Sequence, residues 1–129
     1  MNRDRLLTIT SLVTVLFLTF HLSADIAYGF EPGGLSNTIG ILIAVVYLCG
    51  VLLLNGRLAG YIIMLLGAIA ASGVPIIHMT GGGLLGTRTV NSNVSFLWIW
   101  SNLALGVIAL FSLIVAALAL WNHLRRKPE

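Results

Sequence analysis

LLTITSLVTVLFLTFHLSADIAY, residues 6–28, opens with fifteen residues that carry no charge and then sets His21, Asp25 and Tyr28 at helical spacing. A helix needs about 20 mostly apolar residues to cross the ~30 Å hydrocarbon core of a bilayer. This stretch has that length. Its last turns raise a second point, because ionisable groups inside a membrane segment are costly and face protein or water instead of acyl chains.

The rest of the chain agrees. Of its 129 residues, 58% are hydrophobic and 9% charged, with a mean hydropathy of +1.02. Ordinary soluble domains carry about 25% charged residues, and a water-soluble fold this small has no interior able to hide so much apolar surface. Three further apolar stretches follow at 37–54, 58–78 and 94–121. The expected fold is therefore all-α: an integral membrane domain over 1–129, with four transmembrane helices in an up-down bundle.

The breaks between spans carry turn chemistry. Glu31-Pro32-Gly33-Gly34 cannot continue a helix, and Ser36 or Asn37 can cap the next one. Asn55-Gly56-Arg57 is short enough to force spans two and three into an antiparallel hairpin. The long connection, 79–93, is expected on the outer side. Its GGGLLG, residues 81–86, fits the letter of a dinucleotide fingerprint, but no strand precedes it and no βαβ unit surrounds it. Asn91 to Asn93 read as cap chemistry for the fourth span.

Cation placement orients the bundle. Arg3, Arg5, Arg57, Arg125, Arg126 and Lys127 fall on one side and Arg88 alone on the other. By the positive-inside rule both termini are cytoplasmic, and the basic balance (pI about 9.6) reflects topology and anionic lipid, not nucleic acid. Tyr28, Trp98 and Trp100 are expected at the outer interface, Tyr61 and Trp121 at the inner one. His123, beside Trp121, reads as a solvated cytoplasmic anchor. In the exit HLSADIAYG, Leu22 or Asp25 would stand third before a cut after Ala24 or Ala27, so the first span is expected to remain uncleaved. The expected location is a bacterial-type cytoplasmic membrane, multi-pass. The single cysteine, Cys49, lies among apolar residues and reads as an inert thiol.

Helical faces follow from the 100° step per residue. Thr10, Thr14, His21, Asp25 and Tyr28 form one stripe within about 60°. Gly60, Gly67, Ala71 and His78 share a face of span three; Ser95, Asn102, Gly106, Ala109 and Ala117 a face of span four; Asn37, Gly40, Ala44 and Tyr47 a face of span two. Small residues let helix backbones approach closely where no hydrophobic force draws helices together. Each span thus carries its polar groups on its packing face. Up-down order puts His21, Asp25, Tyr28, Asn37, His78, Ser95 and Asn102 in the outer half, where they can meet in one chamber. Pro75, three residues before His78, can re-aim it.

Three functional classes follow. The favoured one is a small accessory, partner-binding or structural subunit, self-associating or joining a larger membrane complex, with no catalytic residues assigned. The second is a metal- or haem-binding redox protein. His21, Asp25 and His78 supply two imidazoles and a carboxylate for a transition metal, or His21 and His78 supply axial ligands to haem b, with Tyr28 and Asn102 as supporting hydrogen-bonders. The third is a transporter or proton-coupled pathway acting as an oligomer, with the same three residues exchanging protons. Against transport, the first span lacks an embedded glutamate and the two halves show no inverted repeat. No G-x-S-x-G, C-x-x-C or H-E-x-x-H occurs, which gives an enzyme reading little to rest on.

Overall fold

The computed structural model describes residues 3–29, 34–80 and 93–125. Expectations for Glu31 to Gly33, for 81–92 with its GGGLLG and Arg88, and for Arg126 and Lys127 fall outside these ranges, as do the side chains of Ser36, Asn93 and Ser95. The described chain holds four helices and no strand: α1 (Arg3–Tyr28), α2 (Leu35–Leu53), α3 (Leu58–Thr80) and α4 (Asn93–Arg125). Each expected apolar stretch is a helix, and α4 runs four residues past the expected end at 121. α1, α3 and α4 are long and apolar enough to cross a membrane, whereas the apolar part of α2, Asn37–Leu53, is shorter.

A regular pattern of buried positions explains how these helices pack. α1 buries Leu7, Ser11, Thr14, Leu18, His21 and Asp25; α3 buries Tyr61, Met64, Ala68, Ala71 and His78; α4 buries Trp98, Asn102, Leu105, Ala109, Ser112, Ala116 and Ala119. Along α1 and α4 the steps alternate between three and four residues, the 3.5-residue repeat that keeps one seam facing its neighbours in left-handed packing. The expected α4 face needs one correction. Ala117 is exposed, and Ala116 and Ala119 take its place, because a strict 3.5 repeat drifts about 20° per heptad from the straight-helix projection.

Glycine sets the closest approaches. A Cβ on Gly67 would lie 2.6 Å from the Tyr47 ring, and one on Gly106 would lie 2.7 Å from the ring of Pro75. The first contact seats α2 on α3, and the second seats α3 on α4. In lipid, such contacts supply much of the association energy. Residues 54–57 make the α2–α3 turn, with Gly56 at φ 77°, a conformation that favours glycine. α4 packs mainly against α3 and α1, while α2 meets α1 and α3.

Polar and apolar layers alternate along the seam. Leu18, Ala71, Leu105 and Ala109 form one buried apolar cluster. Toward the N-terminal end of α1, Thr14 and Ser112 hydroxyls lie 3.2 Å apart, joining α1 to α4. The Tyr47 hydroxyl lies beside Ser11, Thr14 and Ser112, outside ideal hydrogen-bond geometry. A second apolar cluster, including Leu7, Val51, Met64 and Ala116, follows.

Candidate metal centre between α1, α3 and α4

Above the first apolar layer, α1 and α3 deliver three ionisable side chains to one place. His21 and Asp25 are one turn apart, so the helix itself sets them side by side. His78 enters from α3, one turn beyond Pro75, whose buried ring is held against Gly106. His21 Nε2 lies 2.8 Å from His78 Nε2 and 3.3 Å from Asp25 Oδ2. Each of the three offers a ligand atom, and these atoms all lie within 4.8 Å of one another. The residues are only 1, 5 and 9% exposed for His21, Asp25 and His78.

The proton arithmetic here is informative. A neutral imidazole nitrogen either carries one hydrogen or accepts one. His21 Nε2 faces both a ring nitrogen and a carboxylate oxygen, so one hydrogen at that atom must serve two contacts. Such a convergence of lone pairs suits a cation. Around a tetrahedral ion with bonds of about 2.0–2.1 Å, neighbouring donors stand roughly 3.3 Å apart, close to the two spacings seen.

Trp98 completes the arrangement. Its Nε1–H donates to Asp25 Oδ1 at 2.6 Å, which fixes the carboxylate and leaves Oδ2 toward the histidines. The indole also packs on both imidazoles, with ring centroids 5.6 Å from His21 and 5.1 Å from His78. The sequence pairs Trp98 with Trp100 as expected interface residues. Trp100 is exposed, but Trp98 is buried, since two residues along a helix turn the side chain by about 200°. The signal available was its i, i+4 relation to Asn102, which places it about 40° from that residue on the same face.

The supporting residues divide. Asn102 is buried, as expected, and neither amide atom has a hydrogen-bond partner among the described residues. Tyr28 does not join the buried group. It is 60% exposed at the end of α1, because the 3.5 repeat that buries His21 and Asp25 leaves the next turn beyond the end of the seam. Asn37 and Gly40 of α2 face the same site across a cavity of about 370 Å³.

The bis-histidine haem expectation does not fit this geometry. Two axial nitrogens must stand about 4 Å apart with a porphyrin between them, given metal–nitrogen bonds near 2 Å. Here they are 2.8 Å apart, the rings meet edge to face at 73°, and Trp98 fills the adjoining space.

A second polar group, unforeseen in the sequence, lies at the opposite end of the bundle. Tyr61, expected at the inner interface, is buried and donates its hydroxyl to Asp4 Oδ1 at 2.9 Å. His123 is half-buried with its ring centroid 5.1 Å from that of Tyr61, so it is not the fully solvated anchor expected. Arg125 stacks over Trp121 at 4.1 Å.

No family model matches the chain, and neither a curated protein nor a solved structure is similar to it. The function must be argued from the site.

Proposed function

We propose that this protein is an accessory membrane subunit that carries one divalent transition-metal ion, of the zinc or copper(II) class, on His21, Asp25 and His78. The observation that carries the reading is the convergence of two imidazole nitrogens and one carboxylate oxygen within 4.8 Å in a buried place. Two neutral imidazoles and a carboxylate leave a dication with one net positive charge and an open coordination position. Three protein ligands are the pattern of sites with an exchangeable fourth position, unlike closed four-ligand structural sites. The Trp98 bond to Asp25 supplies the outer-layer orientation that metal carboxylates and histidines need.

In this reading α2 crosses the bilayer with the other three helices. Its 19 residues span about 28 Å at 1.5 Å per residue, near the ~30 Å core. The cation bias puts both ends of the chain in the cytoplasm and the metal centre beneath the outer face. A bacterial-type cytoplasmic membrane suits that arrangement. Partner subunits or further copies complete the assembly, with the exposed apolar surface of α2 available for packing. The transport alternative is less well supported, because the buried layer of Leu18, Ala71, Leu105 and Ala109 lies on the inward side of the donors.

Metal analysis and zinc titration of the detergent-purified protein test the proposal. The expected result is about one ion per chain, with affinity falling roughly 100-fold or more in His78→Ala and Asp25→Asn as ligands are lost. Equal affinity in parent and variants would refute it.

A further inference from the structure

A second cavity, of about 460 Å³, lies at the other end of the bundle, where the first turn of α1 meets the last turns of α4. Arg3 and Asp4 line it from α1, Tyr61 from α3, and Asn122, His123 and Arg125 from α4. Its walls are already ordered. The Tyr61 hydroxyl donates to Asp4 Oδ1 at 2.9 Å, and the His123 ring rests on Tyr61 with centroids 5.1 Å apart. At the edge, the Arg125 guanidinium lies over the exposed Trp121 ring at 4.1 Å. Stacking occupies the flat face of a guanidinium and leaves its in-plane N–H groups for an acceptor. Arg3 brings a second such fork from α1.

We infer that this cavity binds the phosphodiester head of one anionic membrane lipid, of the phosphatidylglycerol class, with Arg3 and Arg125 on its phosphate oxygens and the Asn122 side-chain amide as a further donor.

The charge of the lining selects an anion. Arg3 and Arg125 outnumber Asp4, whose Oδ1 accepts from Tyr61, so the formal charge is positive by one and a single phosphodiester cancels it. A metal cation would face two guanidinium groups, and a zwitterionic head would leave the charge standing. Guanidinium forks match phosphate oxygens in geometry, and a cavity within the range of about 300–1,000 Å³ that holds small molecules has room for a phosphoglycerol head. Position selects a lipid over a free phosphate. By the cation bias this end is cytoplasmic, at the depth where anionic head groups lie and where basic pockets between membrane helices take them. Beside Arg125, the exposed Trp121 and Leu124 offer apolar surface for an acyl chain, which a free anion would not use. Arg5 and Arg57, at the same end, draw anionic surfaces in a diffuse way; the cavity adds one saturable site. The inference rests on the membrane orientation but not on the ion, whose donors are at the far end.

Native mass spectrometry of the full chain in mild detergent, titrated with phosphatidylglycerol, reads the number and affinity of bound lipids. One phosphatidylglycerol per chain is expected to bind at least about tenfold more tightly than phosphatidylcholine. Arg3→Gln and Arg125→Gln, both at exposed positions, should each weaken it about tenfold with the helices retained by circular dichroism. Arg57→Gln removes the same charge outside the cavity and should weaken it by less than about twofold. Equal binding of phosphatidylcholine overturns the inference. So does equal weakening by Arg57→Gln, which makes the attraction diffuse, or displacement of the lipid by equimolar inorganic phosphate, which assigns the cavity to a free anion. A chain that binds the lipid as expected but no zinc supports the site and refutes the metal centre; one that binds zinc but no lipid does the reverse.

Discussion

Replacing Trp98 by phenylalanine removes the donor to Asp25 Oδ1, at 2.6 Å, and trims the buried ring that packs on both histidines. The hydrogen bond is the larger loss for an ion held by Asp25. A hydrogen bond to a charged group contributes about 1.5–3 kcal/mol. At 1.4 kcal/mol per factor of ten, that corresponds to roughly 10–150-fold. Loss of an outer-layer partner at metal sites independently gives about 10–100-fold in affinity. The two estimates agree, so zinc affinity of Trp98→Phe is expected to fall by one to two orders of magnitude. Isothermal titration in mild detergent, or competition against a chelating dye, measures it. Trp100→Phe is the control, since that ring is exposed beside Phe96. Circular dichroism checks that the bundle persists. If Trp98→Phe, still helical, binds zinc as the parent does, then the indole does not orient Asp25 for an ion and the metal reading loses its supporting layer.

Packing and topology give three further expectations. Gly67→Ala puts a methyl group 2.6 Å from the Tyr47 ring and should cost about 1–3 kcal/mol as an overpacked contact, read as a lowered unfolding midpoint in detergent, whereas Gly73→Ala has nothing within 4 Å and should not be lowered. Ser112→Ala breaks the buried Thr14–Ser112 link between α1 and α4 and should cost about 0.6 kcal/mol, at most about 1.7; a stability equal to the parent's would assign that link no net worth. Asn55→Cys in a Cys49→Ser background should react with a membrane-impermeant maleimide only after the cytoplasmic side is exposed; labelling of intact cells would invert the topology.

Much of the site was legible because polar groups stand out in an apolar chain. His21 and Asp25 are adjacent by helical geometry alone, and His78 shares a face with Gly60, Gly67 and Ala71, residues whose small size marks where helices meet. That reasoning brought the three together correctly, and it placed Asn102 inside. It misjudged Tyr28, which keeps the repeat but lies at the very end of α1 beyond the packed seam, and Ala117, which a straight-helix projection puts on the packing face and the 3.5 repeat carries off it. It missed Trp98 because a tryptophan near a span end suits an interface as well as a buried bond to a carboxylate. The Asp4–Tyr61–His123 group at the opposite end of the bundle joins residues from three helices, and no local spacing connects them.

Length, charge placement and punctuation belong to the chain locally, so the four helices, the short turn at 54–57 and the cation bias could be read directly from residue order. Uniformly apolar helices give hydropathy no face to report. The small residues and Asn102 gave the inward side of α4 only roughly, and its rotation was fixed when Gly106 met Pro75 and Trp98 met Asp25, contacts between residues 31 and 73 positions apart. The seam and the cavities at its two ends are likewise properties of helices brought together, because close packing in lipid depends on how surfaces fit and not on how apolar they are.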